Sequence, residues 1–189
     1  MHLCGRWNDE NKNTMASLDS IIRLYTQEQK KDQKIPNLRA ECEFYKNLTS
    51  IQETIELAGL AKNSKKQRHT HQRRLKKIVL EEFKDKLMTF SQKLLDCNNF
   101  DEIYQIVSVC KIKGIGDLAV YDCALRISVF LEKEPQKVYL HAGTTIGVIK
   151  LGINIANRSY LDISEFPESL QKLTAKEIED LLCIHKYEF

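Results

Sequence analysis

The chain has 189 residues, of which 42% are hydrophobic and 29% are charged, and its formal net charge is +3 at pH 7. This length is enough to bury a hydrophobic core as one domain or two small ones, and the composition is ordinary for a globular protein. The composition therefore excludes a membrane-spanning chain, because no window approaches the apolar run that a membrane helix needs. A charge of +3 is too small to identify a partner by itself, so its distribution matters more than its size.

The N-terminus and the cysteines predict an intracellular protein. Residues 1–13 turn polar within seven residues and lack the apolar segment of a signal peptide. The six cysteines show no paired C-x-x-C spacing, and several lie in apolar surroundings typical of free thiols. We therefore expect a reducing compartment and no disulfide framework.

Three helices are predicted in the first half of the chain, after a polar lead-in at 1–13. The first contains the apolar positions of 18–25 and precedes a break at Pro36. The second spans 38–58, and the third is a long amphipathic helix over 70–94.

A basic segment at 62–77 carries eight cations in sixteen residues without one acid. Such a run is either a solvated loop or a contact surface for an anionic partner. The residues expected to contact nucleic acid here are Lys65, Lys66, Arg68, Arg73 and Arg74. The pair His69 and His71 has no third ligand nearby, so we expect neither a metal site nor a cofactor.

The sequence Lys111-Ile112-Lys113-Gly114-Ile115-Gly116 lies between two stretches with helical apolar spacing. Two glycines permit a tight turn, because only glycine adopts positive φ without a Cβ penalty. The turn would present free amides and a helix N-terminus to an anion such as phosphate, although the carboxylate of Asp117 competes for the same donors. The residues predicted to bind nucleic acid at this turn are Lys111, Lys113, Gly114, Ile115, Gly116, Asp117 and Leu118.

Helical signals continue to the C-terminus. Thr144 and Thr145 are candidates to cap a helix that continues through Ile153, and Thr174 with Glu177 has the spacing of a capping box. We therefore predict an all-α bundle of about seven helices. Its parts, 1–99 and 100–189, are expected to form one compact domain.

The segment IKGIGDLAVYDCALRI, 112–127, resembles the helix-hairpin-helix superfamily, whose hairpins hold nucleic-acid backbones without reading sequence. The segment VYLHAGTTIGVIKLGI, 138–153, is similar to the one that follows the hairpin in base-excision DNA glycosylases of that superfamily. The resemblance implies DNA as the partner and a role connected with DNA repair.

The chain departs from those glycosylases at their catalytic positions. Where an amine-using glycosylase has its lysine, this chain has Asp117, Leu118 and Ala119, and where the catalytic aspartate is expected it has Tyr139 and Leu140. Its cysteines are also too far apart for the iron–sulphur cluster that some of these enzymes carry. The resemblance therefore favours binding over bond cleavage.

The main prediction is largely sequence-independent DNA binding through phosphate contacts. The alternatives are a divergent DNA glycosylase, for which His141, Tyr139 and Asp122 are the catalytic candidates, and a protein–protein adaptor. The pocket of such an enzyme is expected to involve Tyr139, His141, Gly143, Thr144 and Thr145. The choice between DNA and RNA, the protein partners, the oligomeric state and the pathway stay open.

Overall fold

The structure is a computed structural model that describes residues 17–31 and 38–189. The predicted lead-in at 1–13 and the break at Pro36 lie outside these residues. The described part contains nine α-helices: α1 (Leu18–Lys31), α2 (Leu38–Lys46), α3 (Ile51–Gly59), α4 (Lys77–Met88), α5 (Ser91–Leu95), α6 (Phe100–Val109), α7 (Asp117–Leu131), α8 (Ala142–Lys150) and α9 (Ala175–Ile184). Two short antiparallel strands, β1 (Lys137–Tyr139) and β2 (Tyr160–Asp162), pair Val138 with Leu161. The predicted all-α class is confirmed.

The helix predicted over 38–58 is two helices, because Ser50 begins a new one. The Ser50 side chain accepts a hydrogen bond from the Glu53 amide at 3.2 Å and acts as the N-cap of α3. Serine favours this position because its hydroxyl satisfies an amide that has no partner within the helix.

The helix predicted over 70–94 is also divided. Residues 60–76 form a loop with one 3₁₀ turn at Thr70–Gln72, and α4 begins only at Lys77. The loop is held closed by the Arg68 guanidinium, which donates to the Leu75 carbonyl at 2.8 Å. Most of the basic segment therefore lies in this loop and not in a helix.

The helices bury two hydrophobic clusters. The first joins α3, α4, α6 and α7, and its fully buried side chains include Ile55, Phe83, Ile103 and Ile127. It crosses position 99, so side chains on both sides of the expected division share one core. The second cluster joins α1, α8, α9 and both strands, with these buried side chains among its members: Tyr25, Val148, Leu161 and Ile178.

The start of α8 differs from the prediction, while the start of α9 confirms it. The N-cap of α8 is His141, and the predicted caps Thr144 and Thr145 lie inside the helix. The His141 carbonyl accepts the first helical hydrogen bond, from the Thr145 amide at 2.8 Å. At α9, Thr174 and Glu177 form the predicted capping box.

Across residues 17–31 and 38–189, none of the helices has both the length and the apolar character that crossing a membrane requires.

Candidate functional site

The hairpin bend, residues 110–116, connects α6 to α7, and these two helices pack against each other. Gly114 adopts a φ of 101°, which requires glycine. Gly116, the N-cap of α7, has an ordinary φ of −87°. The side chain of Ile115 between them is buried and fixes the bend to the first hydrophobic cluster. The side chain of Ile115, one of the residues predicted to bind nucleic acid, therefore packs in the core.

The bend presents its amides at the surface. Gly114, Gly116, Asp117 and Leu118 are exposed, and their amides donate to no group among the described residues. These are the donors that a helix N-terminus leaves free for an anion.

Lys111, one of the two predicted cations of the bend, has an internal partner. Its ammonium lies 2.6 Å from the carboxylate of Asp117, whose side chain is 76% exposed. The carboxylate lies at the start of α7, where it interacts favourably with the helix dipole. Lys111 is thus partly neutralised, whereas Lys113 is exposed.

The start of α4 lies beside the hairpin bend. A Cβ added to Gly114 would lie 3.3 Å from a methyl group of Val79 in the first turn of α4. The N-cap of α4 is Lys76, which makes no side-chain capping hydrogen bond, and Lys77 follows it. Two helix N-termini and several lysines therefore lie close together.

We name Lys76, Lys77, Lys113, Gly114 and Gly116 the hairpin face. Three large apolar side chains that are near these residues in the sequence are also exposed: Ile78 by 67%, Val109 by 65% and Leu118 by 40%.

The other predicted basic contacts lie farther along the loop. Lys65, Lys66, Arg73 and Arg74 are exposed, whereas Arg68 serves the loop structurally through its bond to Leu75. Within the residues that the structure describes, His69 lies 2.5 Å from a carboxylate oxygen of Glu41. The side chain of His71 lies outside the part of the chain that the structure describes.

A cavity of about 490 Å³ lies between the loop, α2, α7 and α9. Lys65 lines this cavity, so the basic segment extends from its edge to the hairpin face. Asp122 and Arg126, on one face of α7, also line it. Asp122 is about 7.5 Å along the axis from the start of the helix.

Hydrogen bonds connect the charged groups along one side of the cavity. The Arg126 side chain, only 8% exposed, donates to Glu41 at 3.2 Å and to the amide oxygen of Gln72 at 3.4 Å. Gln72 in turn donates to Asp122 at 2.9 Å. Burying an arginine requires such compensation, and the network holds α2, the loop and α7 together.

Further titratable groups also line the cavity. Burial raises the pKa of Asp180 to about 6, although the Lys176 ammonium lies 3.1 Å away. The Tyr121 side chain is 2% exposed, and its hydroxyl has no hydrogen-bond partner in the described part of the chain. Burial, together with the nearby carboxylates of Glu179 and Asp180, raises the pKa of Tyr121.

The predicted pocket residues do not line this cavity. Tyr139 packs among aromatic rings, and its hydroxyl donates to Asp101 at 2.7 Å. His141 is buried and pairs with Glu179, a residue that does line the cavity. Gly143 packs against Cys183, Thr144 is buried and Thr145 is partly buried.

Of the three catalytic candidates, Asp122 alone lines the cavity. Sequence reasoning missed Glu41, Arg126, Glu179 and Asp180. The sequence of α7 did contain a signal that could have identified Arg126, because Asp122 and Arg126 are one helical turn apart in an otherwise largely apolar helix.

Comparison of the chain with protein-family models, curated proteins and solved structures gives no match. The resemblance to the helix-hairpin-helix superfamily therefore stays a prediction.

Proposed function

We propose that the chain binds nucleic acid, with DNA as the expected partner, by holding the sugar–phosphate backbone at the hairpin face. The observation that carries this proposal is the set of four exposed amides at Gly114, Gly116, Asp117 and Leu118 that have no acceptor within the described part of the chain, next to Lys76, Lys77 and Lys113.

Backbone N–H groups and ammonium groups both bind phosphate oxygens, and neither reads a base. Affinity should therefore vary little with sequence. It should fall steeply with salt, with a log–log slope of about 0.9 for each duplex phosphate that is neutralised.

Charge reversal at two lysines tests the proposal. Lys113 lies in the bend, whereas Lys133 lies just beyond the other end of α7, roughly 22 Å away along a helix of 15 residues. We expect Lys113→Glu to weaken binding severalfold and to lower the salt slope by about 0.9, while Lys133→Glu changes little. Fluorescence anisotropy with labelled single-stranded and duplex DNA measures both quantities. Equal effects of the two variants, or no binding by the wild-type chain, would contradict the proposal.

Asp117 provides a test in the opposite direction. Asp117→Asn removes a carboxylate that repels phosphate and releases Lys111 from its ion pair, so DNA should bind severalfold more tightly. Glu168→Gln removes one negative charge from an exposed position outside the bend and serves as the control. Weaker binding by Asp117→Asn would indicate that this carboxylate is needed to shape the bend.

A second candidate function is an enzyme that acts on a base in the cavity. It is supported by the buried hydroxyl of Tyr121, which has no hydrogen-bond partner in 17–31 and 38–189, and by two carboxylates, Asp122 and Asp180, that line the same cavity. Such groups can donate or accept a proton during catalysis. Oligonucleotides that contain uracil, alkylated or oxidised bases test for product. Activity that is lost in Asp122→Asn but kept in the exposed variant Asp96→Asn would support this function, and no product from any oligonucleotide would exclude it for those bases.

The adaptor alternative also has a supporting observation, because the large apolar side chains of Ile78, Val109 and Leu118, which are near the hairpin face in the sequence, are exposed. Exposed apolar patches are typical of protein-binding surfaces. Double substitution of Ile78 and Leu118 by serine separates the two functions. It should leave the salt slope of DNA binding unchanged if phosphate contacts dominate.

A further inference from the structure

Three side chains with different donor atoms meet between α8 and α9. The ligand atoms of His141, Glu179 and Cys183 all lie within 4.8 Å of one another, and no other cluster of this kind occurs in 17–31 and 38–189. The side chains of His141 and Glu179 are 5% and 6% exposed. We propose that these residues bind a divalent cation of the zinc class, independently of whether the chain binds DNA.

The backbone of α8 and α9 brings the three donors together. Glu179 and Cys183 are four residues apart on α9, so their side chains share one face of the helix. His141 is the N-cap of α8, and α8 packs closely against α9. Residues that are distant in the chain therefore converge on one point.

Two glycines in α8 permit this close approach. A Cβ at Gly143 would lie 2.5 Å from the Cys183 sulfur, and a Cβ at Gly147 would lie 2.7 Å from the Leu182 carbonyl. Both distances are below van der Waals contact, so larger residues would separate the helices. The missing side chain at Gly143 leaves the Cys183 sulfur close to the start of α8, where His141 lies.

The donor set determines the class of metal. An imidazole nitrogen, a carboxylate oxygen and a thiolate sulfur suit Zn²⁺, which is bound at about 2.0–2.3 Å, whereas Ca²⁺ and Mg²⁺ prefer oxygen alone. One carboxylate and one thiolate also balance the charge of the cation, so the buried complex is neutral. Three protein ligands leave a fourth position for water or another small ligand.

Thr144 contacts two of the three proposed ligands. Its hydroxyl donates to the Glu179 carboxylate at 3.0 Å and lies beside the His141 ring. Such a hydrogen bond fixes the orientation of a ligating carboxylate toward the metal.

Cobalt binding tests the site, because Co²⁺ replaces Zn²⁺ and gives a thiolate-to-metal charge-transfer band. Protein freed of metal by a chelator should bind one Co²⁺ with this band, and Zn²⁺ should displace it. The band should disappear in Cys183→Ser and persist in Cys110→Ser, a matched change at a buried thiol of the first cluster. Absence of the band, or its persistence in Cys183→Ser, would overturn the proposal.

A second measurement uses the unmodified chain, in case Cys183→Ser does not fold. Cys183 and Cys42 are both partly buried free thiols. Zinc should slow the alkylation of Cys183 at least tenfold, as measured by mass spectrometry, and leave Cys42 unchanged. At about a hundredfold excess over Kd, zinc should also raise Tm by roughly 5–10 °C. Equal alkylation rates with and without zinc would overturn the proposal.

Discussion

Gly114 and Gly116 are separated by one residue, yet their backbones differ. The sequence predicted a glycine requirement at both, whereas only Gly114 adopts positive φ. A side chain at Gly114 would also press on Val79, while nothing lies within 4 Å of a Cβ at Gly116.

A pair of serine substitutions tests this difference. Gly114→Ser should destabilise the chain by about 1–3 kcal/mol, because the left-handed conformation is strained for residues with a side chain. Gly116→Ser should be neutral or stabilise by a few tenths of a kcal/mol, since serine is a good N-cap. Urea denaturation measures both. Equal losses would mean that the bend needs glycine at both positions.

At the level of the element, α7 combines two roles. Its first turn holds the exposed amides of Asp117 and Leu118 beside the hairpin face, and its middle carries Asp122 and Arg126 to the cavity. The ion pair between Arg126 and Glu41 also connects α7 to α2. A ligand at the bend and a ligand in the cavity would therefore contact the same helix.

Removing the buried guanidinium of Arg126 should lower the free energy of unfolding. Arg126→Met leaves the carboxylate of Glu41 without its guanidinium partner, although His69 still lies 2.5 Å away, and breaking a buried pair costs about 3–5 kcal/mol. The double variant Glu41→Gln with Arg126→Met should recover much of that loss, because the carboxylate that has lost its guanidinium partner is then removed as well. Thermal unfolding in a double-mutant cycle measures the coupling. Additive losses would show that the pair contributes little.

At the level of the whole molecule, two hydrophobic clusters are joined by polar contacts as well as by packing. Asp101 on α6 accepts hydrogen bonds from Lys137 at 2.6 Å and from Tyr139 at 2.7 Å, both on β1. Burial alone raises the pKa of Asp101, but these hydrogen bonds outweigh it, so its pKa is lowered. The carboxylate is therefore more stable in the folded chain than in the unfolded one.

This shift predicts an acid dependence of stability. Because the folded pKa of Asp101 lies below the unfolded value, its contribution is complete above about pH 4 and is lost as the pH falls through the folded pKa. Asp101→Asn should therefore be less stable than the wild type at neutral pH and should lose less stability on acidification. Asp96→Asn, an exposed change, is the control. Parallel pH profiles of all three chains would contradict this assignment.

The sequence alone located the hairpin bend, the capping box at Thr174 and the helical class, because glycine turns, caps and apolar periodicity depend on neighbours within a few residues. It did not divide the helices at Ser50 or place the start of α4, since caps and loop contacts compete with apolar spacing. Tertiary structure decided the rest. Arg126 meets Glu41 across 85 residues and His141 meets Glu179 across 38, so the cavity network and the proposed metal site exist only where helices pack.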